Sequence, residues 1–212
     1  MRKSEMFAVA VILLSFIVGA YFYPSMPDRM ASHWNAKGEV NGYMPKFWGL
    51  FFVPFLSAGL LLFFTIIPKI DPRRQNIAKF RQYYDAFIAL LMGFMFYLYL
   101  LTIAWNLGYR FDMLRLMVPA LGALFYYLGI LIENAKQNWF VGIRTPWTLS
   151  SERVWNKTHK LGGKLFKFSG IVAFIGIFFS KYAIWFIIAP IILVSFYLLC
   201  YSYIEYRKEK KK

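Results

Sequence analysis

Five stretches of this chain run the thickness of a bilayer without a single charge: 6–23, 47–67, 86–108, 116–132 and 182–204. A helix needs about 17–25 apolar residues to cross a hydrocarbon core of ~30 Å. Backbone groups in that core must bond within their own segment, so each run is constrained to be a helix. A sixth run, 168–180, is short when counted without charge. It reaches full length if it starts near Leu161, with Lys164 and Lys167 reaching to the headgroups. A single helix from Phe168 to Ile204 would be about 55 Å long at ~1.5 Å per residue, too long for one crossing. A turn is therefore expected near Ser180 and Lys181.

The composition agrees. Hydrophobic residues make up 59% and charged residues 17%, and the charges cluster between the apolar runs. A soluble domain has about 25% charged residues, spread along its helix faces. With six spans both termini share a side. Placing them in the cytoplasm puts 19 Lys and Arg on that side and six (Arg29, Lys37, Lys46, Arg110, Arg115, Lys181) on the other. This is the positive-inside pattern. It accounts for the net charge of +15 without nucleic acid, and the basic tail reads as an anchor on anionic lipid. The first run has a basic start and Val18-Gly-Ala20 at its end, but its length favours an uncleaved helix over a signal peptide. Cys200 is the only cysteine, so no internal disulfide is available, and the Asn156-Lys-Thr158 sequon falls on the inner side.

The expected fold is all-α: a polytopic integral membrane protein of six transmembrane helices in three hairpins, both termini cytoplasmic. Three two-span units are expected at 1–67, 68–135 and 136–212, with no internal repeat. Pro54 suggests a kink and Pro72 the start of a short inner helix. Gly108 to Asp112 suggests a tight outer turn. Gly93, Gly122, Gly129, Gly170 and Gly176 are candidates for close helix contact.

Two connections are too rich to be plain linkers. The outer one, from Pro24 to Lys46, contains Pro27, Asp28, His33, Trp34, Asn35 and Gly38. Its prolines and glycines fix backbone geometry, so an ordered cap packed on the bundle is expected, with Trp34 at the interface. His33, Asp28 and Glu39 have metal-binding chemistry but lack ligand spacing of the His-x-x-x-His or Cys-x-x-Cys kind, so no metal is expected.

The inner connection, from about Glu133 to Lys160, contains Asn138, Gly142, Arg144, Thr145, Pro146, Glu152, Trp155 and His159, with Gly162 just beyond. Ser150 or Ser151 is placed to cap a helix with Glu152 in its first turn. That would set Glu152, Trp155 and His159 on one face of an amphipathic helix lying along the membrane. Three readings stand side by side. One is pure architecture, with Arg144 paired to Glu133, to Glu152 or to a phosphate. The second is a protein-binding surface. The third is catalysis: Ser150 or Ser151, His159 and Glu152 are the letters of a triad, without a nucleophile elbow or a second His on that side. The uncharged runs hold no acid, which argues against an intramembrane protease and against a proton- or sodium-coupled transporter. No catalytic residue and no cofactor are expected.

The string Asn138-Trp-Phe-Val-Gly142-Ile-Arg144-Thr-Pro146-Trp-Thr-Leu-Ser, followed by Trp155-x-Lys-Thr-His159-x-Leu-Gly-Gly163, resembles the signature of the Sdp immunity (SdpI) family. Pro27, then His33-Trp34-Asn35 and Gly38, resembles an element of the uncharacterised membrane domain that precedes it in that family. The resemblance implies an SdpI-like immunity or signal-transduction protein of the cell membrane. Such a protein binds a peptide toxin outside or a cytoplasmic protein inside, and protects the membrane or relays a signal. The best-known member protects its producer from a secreted toxic peptide and recruits a transcriptional autorepressor to the membrane. With only a short basic tail here, such recruitment would fall to the inner loops. The alternative is a small-molecule transporter or membrane-embedded enzyme using the Arg144/His159 region.

Overall fold

The computed structural model describes residues 1–179 and 182–211. Six helices are long and apolar enough to cross a membrane. They are α1 (Lys3–Phe22), α2 (Lys46–Ile70), α4 (Arg81–Asn106), α5 (Met113–Asn134), α7 (Glu152–Ile175) and α8 (Trp185–Lys210). Short inner helices α3 (Arg74–Lys79) and α6 (Pro146–Ser150) lie in the connections. The turn expected at Ser180 and Lys181 lies outside the described residues. This is a multi-pass membrane protein.

Large apolar side chains cover the outside of the bundle, among them Leu13, Leu62, Phe63, Leu193 and Phe196. Such a surface is stable only against lipid. Inside, α1, α2 and α4 share a core through Ala8, Leu61, Tyr84, Ile88 and Met92. Helix α2 continues through Pro54 and Pro68. Pro68 has no N–H for the Phe64 carbonyl four residues back, and the Tyr84 hydroxyl donates to that oxygen instead, at 2.8 Å.

Helices α5 and α7 meet backbone to backbone at two glycine pairs. A Cβ on Gly122 would lie 2.8 Å from the Gly170 carbonyl, and one on Gly129 2.6 Å from the Gly163 carbonyl. Gly93, expected to serve the same way, faces open space, and Gly163 takes a role the sequence reading had not given it. Small residues matter only where a second backbone comes close, and sequence alone does not say where that is.

Two connections differ from expectation. The outer loop is ordered, as expected, but it holds strands within a helical fold: β1 (Arg29–Trp34) pairs antiparallel with β2 (Val40–Pro45). The inner loop is shorter than expected, because α7 starts at Glu152 rather than near Leu161. The Ser151 hydroxyl caps it by accepting from the Val154 N–H at 3.2 Å. Its first turns expose Lys157, Lys160 and Lys164 while burying Trp155, Thr158, His159 and Gly162. No separate surface helix forms; the amphipathic stretch is the inner end of the fifth span. Helix α8 likewise runs past the uncharged limit at Ile204 and carries Glu205, only 5% exposed, bonded to Lys157 at 2.6 Å.

Candidate functional site

At one end of the bundle the inner loop is tied into a compact knot. Asn138 is fully buried and wraps the chain around itself. Its Oδ1 accepts from the N–H groups of Phe140 and Val141, and its Nδ2 donates to the carbonyls of Lys136 and Val141. Gln137 donates to the carbonyls of Thr148 and Leu149. Thr145 and Thr148 cap α6 reciprocally, and Thr145 Oγ1 lies 3.0 Å from Ser202 Oγ on α8.

Trp155 and His159 form the base of the knot. The rings stack 3.8 Å apart at 15°. Trp155 Nε1 donates to the Ala135 carbonyl at 2.8 Å. His159 Nδ1 lies 2.9 Å from the Trp155 carbonyl, and Nε2 accepts from the Ile143 N–H at 2.9 Å. A carbonyl can only accept and an N–H can only donate, so this arrangement fits a neutral ring protonated on Nδ1. Gly142, at φ +119°, makes it possible: a Cβ there would be driven into His159 Nε2. Gly162 serves similarly, since a Cβ would collide with Ile143.

The exposed members of the predicted set are Arg144, Pro146 and Glu152. Arg144 pairs with neither Glu133 nor Glu152; it donates to the Trp139 carbonyl at 2.8 Å. Glu133 is occupied instead by Lys167 at 2.6 Å. The helix that was to align Glu152 with Trp155 and His159 turns Glu152 outward and the two rings inward. The letters of a triad are likewise dispersed: Ser151 bonds Glu209 at 2.6 Å, Ser150 bonds the Pro146 carbonyl, and both nitrogens of His159 are taken.

Two residues that sequence reasoning passed over complete the knot. Asp71, 2% exposed, accepts from the Arg73 N–H at 2.6 Å and from the Trp139 N–H at 2.9 Å. Asn76 donates to the Gln137 carbonyl at 2.8 Å. Together they bind the first inner loop to the second. The signal was slight: an acid and an amide beside Pro72, in a loop that read as merely charged.

The opposite end carries the hairpin. Asn35 Oδ1 accepts from the N–H groups of Lys37 and Glu39, and Gly38 turns the chain at φ +79°. Asn106, at the end of α4, clamps β1 by accepting from the Ala31 N–H at 2.8 Å and donating to the Ala31 carbonyl at 3.0 Å. The hairpin also rests on α2, where Gly49 makes room for Met30. Pro27 is exposed, Asp28 pairs with Lys46 at 3.3 Å, and His33 Nδ1 lies 2.5 Å from Asn41 Oδ1. Among the described residues no three His, Cys, Asp or Glu side chains gather as a metal site would require.

Beneath the hairpin is a cavity of about 330 Å³, bounded by Trp34, Val53, Leu98, Thr102, Met113 and Met117. Trp34 stands edge-on to Trp105 at 5.8 Å, and its buried Nε1 has no hydrogen-bond partner among the described residues.

The matches to known proteins cover both ends. Residues 134–202, from the close of α5 through most of α8, match the SdpI/YfhL protein family. Residues 10–58 match a domain of unknown function, DUF1648. Immunity protein SdpI from Bacillus subtilis (strain 168) is 24% identical over 207 residues, 97% of this chain and 97% of that one. The chain is similar to the SdpI/YfhL family over its C-terminal third and to Immunity protein SdpI from end to end. No solved structure matches it. It is an immunity-protein-like membrane protein, and the second inner loop's part of the knot lies within the matched segment, whereas Asp71, Asn76 and Asn106 lie outside both.

Proposed function

We propose that this SdpI-like protein protects the cell that carries it against a membrane-directed peptide, which it engages from the hairpin end. The observation that carries the reading is the end-to-end likeness to Immunity protein SdpI. The cavity under the hairpin supports it with chemistry. Val53, Leu98, Met113 and Met117 give it an apolar wall that takes an apolar side chain, and Ser32, His33 and Thr102 add polar groups beside it. A peptide carbonyl seated beside that side chain would accept from Trp34 Nε1, a buried donor without a partner among the described residues. At the other end, the exposed Arg144, Pro146 and Glu152 form the face offered to a cytoplasmic protein in a signal relay.

The test is survival. The chain is expressed in a Bacillus subtilis strain lacking its own Immunity protein SdpI, and challenged with the parent culture and with a panel of secreted membrane-active peptides. Survival at least tenfold above the empty vector is expected, falling by about tenfold in Trp34→Phe. Absence of protection from every peptide, with the protein present in the membrane, overturns the reading.

A further inference from the structure

A second cavity lies at the knot end, between the start of α1, the end of α2 and α3–α4. It measures about 570 Å³, and its charged lining is Arg2, Glu5, Lys69, Arg74 and Arg81. Glu5 is spoken for: it accepts from the Arg2 N–H at 3.0 Å and lies 3.9 Å from the guanidinium groups of Arg2 and Arg81. Asp85 holds the same two arginines, at 3.1 and 2.6 Å. Two cations thus match two acids. Lys69 and Arg74 are left over; both are exposed, and neither side chain has an ion pair or hydrogen bond among the described residues. The cleft carries an uncompensated charge of two.

The cleft does not stand alone. Glu5 and Thr65 also line an apolar groove of about 360 Å³ that runs between α1 and α2 past Val9, Ile12, Leu61 and Leu62. Charge at the membrane surface therefore opens into a slot facing the hydrocarbon. Thr65 offers the groove little polarity, because its hydroxyl bonds back to the Leu62 carbonyl at 2.8 Å. A ligand that fits both parts has an anionic head and a hydrocarbon tail. We infer that this junction binds one anionic phospholipid of the inner leaflet, its phosphodiester between Lys69 and Arg74 and one acyl chain along the α1–α2 groove. Basic pockets between helices on the cytoplasmic side are suited to such headgroups. This site is independent of the peptide-protection reading and goes beyond it.

The experiment uses the full chain in a neutral detergent, with native mass spectrometry to count retained lipid. Phosphatidylglycerol and phosphatidylcholine of identical chains are offered at equal concentration. Retention of phosphatidylglycerol should exceed that of phosphatidylcholine at least tenfold. Lys69→Ala/Arg74→Ala should abolish the difference. Both side chains are exposed and unpaired, so that variant is expected to fold, and an unchanged melting temperature verifies it. Lys210→Ala/Lys211→Ala, which removes the same charge from the tail, should leave retention intact. Leu13→Trp/Leu62→Trp, which fills the groove, should reduce retention of the long-chain lipid. Equal retention of the two lipids overturns the inference, as does an equal loss in the tail variant. Displacement of the lipid by an equal concentration of inorganic phosphate also overturns it, since the site would then be one for free phosphate.

Discussion

Gly142→Ala puts one methyl group where the knot has no space for it. At φ +119° the alanine backbone is strained by about 1–3 kcal/mol. The new Cβ would collide with His159 Nε2, and 3.2 Å from it lies the Trp155 ring. The imidazole must move, which breaks the Ile143 N–H bond to Nε2. Parting a buried donor from a buried acceptor costs about 1–3 kcal/mol for each stranded group. Together the terms give about 3–9 kcal/mol. SDS titration in mixed micelles, followed by tryptophan fluorescence, measures it. His159→Ala alone removes the same bond by a different route. In the double variant that bond is lost only once and the collision disappears, so the combined cost should fall short of the sum by about 1–3 kcal/mol. Gly142→Ala within about 0.5 kcal/mol of wild type, or strict additivity in the cycle, would refute the reasoning.

Arg144→Ala removes an exposed side chain bonded only to the Trp139 carbonyl, so stability should change by no more than about 1 kcal/mol while any pull-down partner from native membranes is lost; a large drop in stability would mean the guanidinium is structural. Asp71→Asn turns an acceptor into a donor opposite either the Arg73 or the Trp139 N–H and should cost about 1–3 kcal/mol in the same titration. Asn106→Leu should free the hairpin, visible as faster amide exchange across 29–45 with little change in the membrane helices; unchanged protection there would show that Gly49 and Met30 hold it unaided. In a Cys200→Ser background, single cysteines at positions 37 and 157 should label from opposite sides of the membrane, and labelling of both from one side would invert or break the assigned topology.

The spans were legible because lipid demands one thing of a sequence, a long uncharged stretch, and five of them are present. The cap of α7 at Ser151 was legible too, but its continuity into the fifth span was not, since Lys157, Lys160 and Lys164 interrupt the run although they occupy a single face. Order in the outer loop could be read from its Pro and Gly content. Its strands could not, because they depend on Asn106, which lies 75 residues from Ala31. At the knot, the residue types that stood out proved to be those with the tightest geometric duties. Asn138, Gly142, Trp155 and His159 are unusual among greasy helices because each meets a need that bulk hydrophobicity cannot. Asp71 and Asn76 escaped notice because their partners, Trp139 and Gln137, are 68 and 61 residues away.

That separation sets an order of events during synthesis. The Asp71 carboxylate emerges with α2, but the amide it is to bind is made only after two further spans have been produced. Until then the first inner loop has an acid with one bond formed locally, to Arg73, and one oxygen still in water. Closure of the knot is thus a late step, and it takes in both halves of the chain at once: α6 and α7 arrive with Trp155 and His159, and α8 follows with Ser202 and Glu205. A ribosome stalled after α5 would hold four spans in the bilayer with their inner end unlatched. Release of α8 is the moment at which the last of these bonds can form.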